Sequence, residues 1–318
     1  MPSLPQIAAV TLVTALALAG CSDTRDDAAA TSAPETSASS TGFPVTVQAE
    51  NGSVAIAGRP TRIVSLSATA TESLFAIGAG EQVEAVDDQS NFPPEAPMTA
   101  LSGYTPNAEA IIGYDPDLVV AASDQDGIVA RLESLEIPVL LLGSATTLDQ
   151  AYEQIQALGT ATGHATEATS VVEDMTTRLD AIVAATPVPD PPVTVFHELS
   201  PDLYSATSAT FIGSVYELLG LANIADPAAV AGNDYPQLTA EAVVAADPDL
   251  VVLSDVKCCA QTAAEVAARP GWSGITAVRT GAIVEADDDI ASRWGPRIVE
   301  FAELVSGEVR ELAAAPAS

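Results

Sequence analysis

Basic residues are scarce in this chain. Its 318 residues include 11 Lys and Arg against 43 Asp and Glu, so the formal net charge is −32, and Lys257 is the only lysine. Proteins that bind nucleic acid neutralise phosphates with clustered cations. We therefore expect no nucleic acid partner, and a surface that repels anionic polymers and favours solubility.

Cysteine and histidine are also rare, with 3 and 2 residues. The Cys-x-x-Cys spacing of zinc sites is absent, as are P-loop, nucleophile-elbow and metal-hydrolase signatures. We therefore predict a non-catalytic protein with no resident metal and no cofactor. An extracytoplasmic enzyme stays open as an alternative, using His197 with Glu198 as acid and base or Cys258 with Cys259 in thiol exchange.

The two adjacent cysteines allow three interpretations. Outside the cytoplasm Cys258 and Cys259 can form a disulfide, and otherwise they are a reduced pair or ligands to a soft metal. The sequence leaves these alternatives open.

A long apolar run occurs only near the amino terminus. Residues 7–19 are apolar but too few to span a bilayer comfortably, as in the core of a signal peptide. The motif Leu18-Ala19-Gly20-Cys21 follows and resembles the bacterial lipobox, whose cysteine is lipid-modified. We expect a signal peptide over residues 1–20 and a lipid-anchored, disordered tether over residues 21–44. These features predict an extracytoplasmic lipoprotein of the cell membrane.

One pattern occurs twice in the remaining chain. Residues 109–120 read Glu-Ala-Ile-Ile-Gly-Tyr-Asp-Pro-Asp-Leu-Val-Val, and residues 241–252 read Glu-Ala-Val-Val-Ala-Ala-Asp-Pro-Asp-Leu-Val-Val. A single recurrence at about domain length indicates two related globular units. Around both copies, short buried-type strands alternate with helical patterns, which is typical of parallel sheets covered on both faces.

A long helical pattern separates the two copies. Residues 166–185 keep an apolar stripe without Gly or Pro, and a proline-rich stretch follows. We therefore predict an α/β fold of two similar lobes with central, mainly parallel sheets, joined by one long helix. The expected boundaries are an N-terminal lobe over 45–162, the linker helix over 163–187 and a C-terminal lobe over 188–318.

Several further motifs occur in a characteristic order: Arg62–Ser67 with Thr71-Glu72, Asp87–Ala96, Asn107–Ile111 leading to Asp115–Leu118, Tyr235–Leu238 and Ser292–Arg297. Together they resemble the substrate-binding proteins of bacterial ABC importers for cobalamin and iron chelates, the class whose lobes are joined by a rigid helix. The resemblance covers about residues 45–310. It implies a monomer whose partners are the permease and ATPase subunits of an importer.

The resemblance also gives the repeated motif a role. In this family each lobe presents a surface glutamate to arginines of the permease, and the matching residues here are Glu109 and Glu241. The alternative is that each carboxylate only favours the amino terminus of its helix through the helix dipole.

Ligands of open parallel sheets bind beyond the carboxyl ends of the strands. The cleft residues expected on this basis are Ser67, Thr69, Gln89, Asn91, Tyr104, Asp124, His197, Tyr204, Lys257, Arg293 and Trp294. His197 is either a metal ligand or a hydrogen-bonded wall residue.

Among these strand-end positions carboxylates outnumber cations. A highly anionic chelate needs several arginines, so this balance favours a neutral or cationic one. The expected ligand is a corrinoid, an iron siderophore or haem, and a haem or metal receptor that signals or buffers is an alternative to the import function. Asp287-Asp288-Asp289 is either a solvated run or a calcium-like cluster, and the lack of loop-ligand spacing favours the solvated run.

Overall fold

The structure is a computed structural model and describes residues 42–315. The predicted signal peptide, Cys21 and almost all of the tether lie outside the described residues. An antiparallel hairpin opens the described part, with β1 at Val45–Ala49 and β2 at Gly52–Ile56. Its Asn51-Gly52 corner is of the kind that favours tight hairpins. In the part that is described, no helix is long and apolar enough to cross a membrane.

The N-terminal lobe is built on a five-stranded parallel sheet. Its strands are β3 (Ile63–Leu66), β4 (Val83–Asp87), β5 (Met98–Leu101), β6 (Leu118–Ala121) and β7 (Val139–Leu141). They lie in the order β5-β4-β3-β6-β7. Both faces are covered, since every residue of β3 and β6 is buried.

Four helices accompany this sheet: α1 (Ala68–Ala76), α2 (Ala108–Ile112), α3 (Ile128–Glu133) and α4 (Leu148–Thr162). Helix α1 begins directly after β3, because the Ser67 hydroxyl accepts a hydrogen bond from the backbone N–H of Ala70. Helix α4 ends at Gly163, whose φ of 77° favours glycine.

One helix, α5 (Ala165–Ala185), leads from the N-terminal to the C-terminal lobe. Its buried face carries Ala168, Met175 and Leu179. At its end the Thr186 hydroxyl donates to the Ile182 carbonyl and lies 2.6 Å from the Ser306 hydroxyl of the last helix. The expectation of two lobes joined by one long helix is confirmed.

The C-terminal lobe has a four-stranded parallel sheet in the order β11-β10-β8-β9. The strands are β8 (Thr194–Glu198), β9 (Ala222–Asn223), β10 (Leu250–Leu253) and β11 (Ile283–Glu285). The helices are α6 (Phe211–Leu218), α7 (Ala240–Ala246), α8 (Val256–Cys259), α9 (Ala263–Ala267), α10 (Thr276–Thr280), α11 (Asp288–Ser292) and α12 (Ile298–Ala314). Phe196, Tyr216, Trp272 and Phe301 form the large aromatic part of its core.

The repeated Asp-Pro-Asp corners have the same structural role in both lobes. Asp117 accepts from the backbone N–H of Thr61 at 2.8 Å and from its hydroxyl at 2.9 Å. Asp249 accepts from the same two groups of Thr194, at 2.9 Å and 2.8 Å. Each corner therefore ties the chain entering one central strand to the start of the neighbouring strand, which explains why the sequence repeats there.

Candidate functional site

A cleft of about 710 Å³ lies between the lobes. One wall is formed by residues that follow β3, β4, β5, β6 and β7 of the N-terminal lobe, and the other by α8, α11 and the residues after α11. Parallel strands bring their carboxyl ends to one edge of the sheet, which is why polar residues distant in sequence meet here.

Most of the expected cleft residues line this space. They are Ser67, Thr69, Gln89, Asn91, Tyr104, Lys257, Arg293 and Trp294. The structure adds side chains that the sequence reasoning did not select, among them Asp87, Ser123, Gln125, Ser144, Cys258, Asp288 and Asp289. Asp87 ends a strand, so the rule used for the other strands would also have found it.

His197 does not line the cleft. Its ring is fully buried, with Nδ1 at 2.6 Å from the Tyr216 hydroxyl and Nε2 at 2.9 Å from the Ser254 hydroxyl. Burial lowers the pKa of His197 to about 3, so the ring is neutral. Both faces of a parallel sheet are covered, so a residue within an inner strand lies in the core whichever face it occupies. His197 is therefore a hydrogen-bonded core residue, which corrects its expected place in the cleft and leaves no support for the alternative of a metal ligand.

Asp124 and Tyr204 also lie outside the cleft lining. The Asp124 carboxylate accepts from the backbone N–H of Val129 at 3.0 Å, at the start of α3, whereas its neighbours Ser123 and Gln125 face the cleft. Tyr204 forms an isolated bridge with Gln237 and is 43% exposed on the C-terminal lobe. The expectation that Asp124 and Tyr204 line the cleft is therefore wrong, because a sequence pattern does not show which way a loop side chain points.

Arg293 connects the two lobes from the cleft. Its guanidinium donates to the Glu72 carboxylate at 2.7 Å, to the Asn91 side chain at 2.9 Å and to the Gln89 carbonyl at 2.8 Å, all in the N-terminal lobe. It also donates to Asp289 at 2.7 Å within its own lobe. Both terminal nitrogens of the guanidinium are therefore hydrogen-bonded to groups of the protein.

Glu72 holds a second arginine of the C-terminal lobe. Arg297 donates to the Glu72 carboxylate at 2.9 Å and 2.5 Å, and its guanidinium carbon lies 4.0 Å from the centre of the Phe92 ring. Glu72 is only 4% exposed. We call Glu72, Arg293 and Arg297 the interlobe cluster. Trp294 adds a further interlobe bond, from its indole N–H to Gln154 at 2.9 Å.

The three consecutive aspartates are bound within the protein, which corrects the expectation of a solvated run. The Lys257 ammonium donates to Asp287 at 2.6 Å and to Asp289 at 2.9 Å. The backbone N–H groups of Lys257 and Cys258 donate to Asp288 at 3.0 Å and 2.8 Å. Burial disfavours the charged ammonium, but the bonds to Asp287 and Asp289 outweigh it and raise the pKa of Lys257.

Cys258 and Cys259 are joined by a disulfide at the end of α8, and Cys258 lines the cleft. Among residues 42–315, no group of three or more His, Cys, Asp or Glu is arranged to hold a metal ion. The cysteine pair is therefore a disulfide, and its Cys258 belongs to the cleft wall.

A glycine sets the position of Tyr104, which is 74% exposed. A Cβ on Gly103 would lie 2.7 Å from both the Asp87 carboxylate and the Leu66 carbonyl. Only glycine therefore lets this segment pack against the end of β3. The sequence reasoning named Tyr104 but missed Gly103, because the close approach is made by residues distant in the chain.

Two buried carboxylates face each other behind the cleft wall. Glu198 ends β8 and is bound by Arg269 at 2.6 Å and 2.5 Å. Asp255 precedes α8, is fully buried, and neither of its oxygens has a hydrogen-bond partner among the described residues. Burial and the neighbouring Glu198 raise the pKa of Asp255 to about 7. When Asp255 is protonated, its O–H can donate a hydrogen bond to Glu198. Two ionised carboxylates would have no donor between them.

Glu109 and Glu241 occupy equivalent places, in the first turns of α2 and α7. Both side chains are exposed, and neither has a hydrogen-bond or ion-pair partner within residues 42–315. Asn107 and Thr239 cap the two helices through their side chains at 3.0 Å and 3.1 Å. Because the caps are made by other residues, the two carboxylates remain available to a partner.

Two lobes on parallel sheets, a single connecting helix and a polar cleft at the strand ends define a solute-binding protein. The chain belongs to the periplasmic binding protein family, whose model matches residues 63–290. This membership agrees with the absence of enzyme motifs noted in the sequence.

Two individual relatives are similar to the chain over most of their length. The chain is 32% identical over 312 residues to YvrC of Bacillus subtilis (strain 168), an uncharacterized ABC transporter substrate-binding lipoprotein, with 95% of each chain covered. It is 34% identical over 267 residues to a cobalamin-binding protein of Halobacterium salinarum (strain ATCC 29341 / DSM 671 / R1), covering 81% of this chain and 72% of the relative.

A solved structure confirms the fold. The periplasmic vitamin B12 binding protein BtuF of Vibrio cholerae matches with a TM-score of 0.66 and 24% identity, covering 80% of this chain and 98% of that one.

Proposed function

We propose that this protein captures a neutral or cationic metal chelate, a corrinoid in the first place, in its interlobe cleft and delivers it to the permease of an ABC importer. The observation that carries the proposal is the charge state of the cleft. Lys257 and Arg293 are the cations that line it, and both are neutralised by carboxylates of the protein.

An anionic ligand would meet an unfavourable cleft. It would have to draw Arg293 away from Glu72 and Asp289, which would leave Glu72 unpaired in a buried position. Asp87, Asp288 and Asp289 also line the cleft and repel negative charge. A ferric tris-catecholate or the propionates of haem therefore fit less well than a corrinoid or a hydroxamate siderophore.

The neutral groups of the cleft suit a large polar chelate with apolar faces. Ser67, Gln89, Ser123 and Gln125 offer hydroxyl and amide groups for the periphery of such a ligand. The exposed ring of Tyr104 offers a flat apolar surface. The similarity to the cobalamin-binding protein of Halobacterium salinarum supports the corrinoid.

We infer further that Cys21 carries the lipid anchor and that residues 21–44 tether the lobes to the cell membrane. The lipobox-like Leu18-Ala19-Gly20-Cys21 supports this, as does the description of YvrC as a lipoprotein. We also propose that the N-terminal lobe spans residues 45–162 and the C-terminal lobe residues 188–318. Residues 163–187 then form the rigid connection between the lobes.

Glu109 and Glu241 are proposed as the contacts to the permease, one on each lobe. Their equivalent positions, exposure and freedom from internal partners support the assignment. Two carboxylates on different lobes can pair with two arginines only when the lobes have the right separation, so docking would report on both lobes at once.

Titration calorimetry of the purified protein tests the ligand. We expect saturable binding of cyanocobalamin, or of ferrioxamine B if the chelate is a siderophore, and no binding of a ferric tris-catecholate. Tight binding of the catecholate would contradict the charge argument. Binding of haem alone would favour the haem receptor, and binding of none of these compounds would refute the proposed ligand class.

A further inference from the structure

A second cavity, of about 780 Å³, lies beside the interlobe cluster. It is formed by α1 and the Phe92–Glu95 segment of the N-terminal lobe and by the start of α12 in the C-terminal lobe. Glu72 lines this cavity and binds Arg293, which lines the cleft, so the interlobe cluster lies between the two spaces. The volume of the second cavity is in the range of small-molecule sites.

The walls of this second cavity are mainly aromatic and apolar. The rings of Phe75, Phe92, Pro93 and Pro296 line it. Phe92 is 38% exposed although it is large and apolar. A Cβ on Gly80 would lie 2.6 Å from the Phe75 ring, so the absence of a side chain at residue 80 gives that ring its place in the wall.

The charges of the second cavity are predominantly negative. Arg297 is the cation that lines the cavity, and its guanidinium is already hydrogen-bonded to Glu72. Glu81 and Glu95 are exposed, and neither has a hydrogen-bond or ion-pair partner in the part of the chain that the structure describes. Apolar rings combined with unpaired carboxylates recognise an apolar body that carries a positive charge.

We propose that the second cavity binds a small, largely apolar organic cation. Its apolar body packs against Phe75 and Phe92, and its ammonium group lies toward Glu81 and Glu95. This site is separate from the chelate cleft and does not depend on the function proposed for it.

A series of naphthalene compounds tests the charge requirement by calorimetry at neutral pH. The probes are 1-naphthylmethylammonium, 1-naphthalenemethanol and 1-naphthoate, which share the ring system and differ in charge. We expect one saturable site for the cation, weaker binding of the alcohol, and at least about tenfold weaker binding of the carboxylate. Equal binding of cation and carboxylate, or no saturable binding of the cation, would overturn the proposal.

Matched glycine variants test the location. Gly80→Ala should force the Phe75 ring into the second cavity and weaken cation binding by at least about fivefold. Gly58→Ala is the control, because a Cβ there meets nothing within 4 Å. If Gly80→Ala does not fold, Phe92→Ser removes an exposed wall residue and should weaken binding similarly.

Charge and cleft variants complete the test. The double variant Glu81→Gln, Glu95→Gln should reduce the affinity for the cation to that for the alcohol. Tyr104→Ala, which alters the cleft, should leave cation binding unchanged. If Tyr104→Ala loses cation binding, the cation binds in the cleft and the proposal is overturned. If both Gly80→Ala and Phe92→Ser keep wild-type cation binding, the cation binds elsewhere and the proposal is likewise overturned.

Discussion

At the residue scale, Asp255 shows how burial decides the protonation of a side chain. It faces Glu198, and the guanidinium of Arg269 is hydrogen-bonded to Glu198 and not to Asp255. The pKa of Asp255 is raised from 3.8 to about 7, because burial and Glu198 both disfavour its charge. The folded protein therefore binds a proton between these two pH values that the unfolded chain releases.

The consequence for stability follows from proton linkage. A raised folded-state pKa stabilises the fold at low pH, and this contribution is lost as pH rises from about 4 to about 7. We expect Asp255→Asn to remove this loss of stability at higher pH, because the side-chain amide can donate a hydrogen bond to Glu198 at every pH. At about pH 8 the variant should exceed the wild type in free energy of unfolding by on the order of a few kcal/mol.

Urea denaturation of both proteins across this range measures the effect. His197 acts in the opposite direction, since its pKa is lowered to about 3, and its contribution cancels in the difference between the variant and the wild type. An identical pH dependence of the two proteins would show that Asp255 does not hold the proton.

Glu72 joins the two lobes by binding two arginines of the C-terminal lobe. It is almost fully buried, and its two partners are only 10% and 15% exposed. Breaking a buried ion pair leaves uncompensated charge, so Glu72→Gln should lower the free energy of unfolding by about 3 kcal/mol or more. Asp174→Asn, which breaks an exposed pair with Arg178, should cost less than about 1 kcal/mol. Chemical denaturation measures the free energy of unfolding of both variants. An equal decrease in the two would contradict the stabilising role of the interlobe cluster.

At the scale of elements, the segment after β5 is positioned by a single close contact. Gly103 lies against Asp87 and the end of β3, and Tyr104 follows it. Gly103→Ala should displace Tyr104 and weaken binding of the cleft ligand by about tenfold.

Calorimetry with the chelate identified by titration measures this loss, with Gly274→Ala as the control because a Cβ there meets nothing within 4 Å. Unchanged affinity in Gly103→Ala would mean that the Tyr104 segment does not contact the ligand.

The sequence pattern predicted the connecting helix, whereas two short helices of the cleft wall were missed. Helix α5 was foreseen because its sequence has a sustained apolar stripe and no breaker. The short helices α8 and α11 were not foreseen, because four or five residues carry too little periodicity. Their positions depend on Asp288, which binds the backbone of Lys257 and Cys258 from another part of the chain.

At the scale of the whole molecule, Glu109 and Glu241 are expected to act together. The double variant Glu109→Ala, Glu241→Ala should abolish import in proteoliposomes containing the permease and ATPase, because both lobes lose their charged contact. Its affinity for the cleft ligand should be unchanged, because neither residue lines the cleft.

Glu173→Ala is the matched control, since Glu173 is exposed on α5. Unchanged uptake by the double variant would refute the docking assignment, and loss of ligand affinity would indicate a structural role instead.

The sequence by itself determined the two-lobe plan, the parallel sheets and the connecting helix, and it predicted several of the residues that line the cleft. Strand periodicity and the repeated Asp-Pro-Asp corner can be read locally along the chain. Ligands of parallel sheets bind at the strand ends, so the predicted strands also indicate where the cleft lies. Only the tertiary structure decided that His197 faces the core, that Lys257 and Arg293 are already neutralised, and that a second cavity exists. The reason is that burial and ion pairing join residues far apart in the chain, such as Glu72 with Arg293 and Arg297.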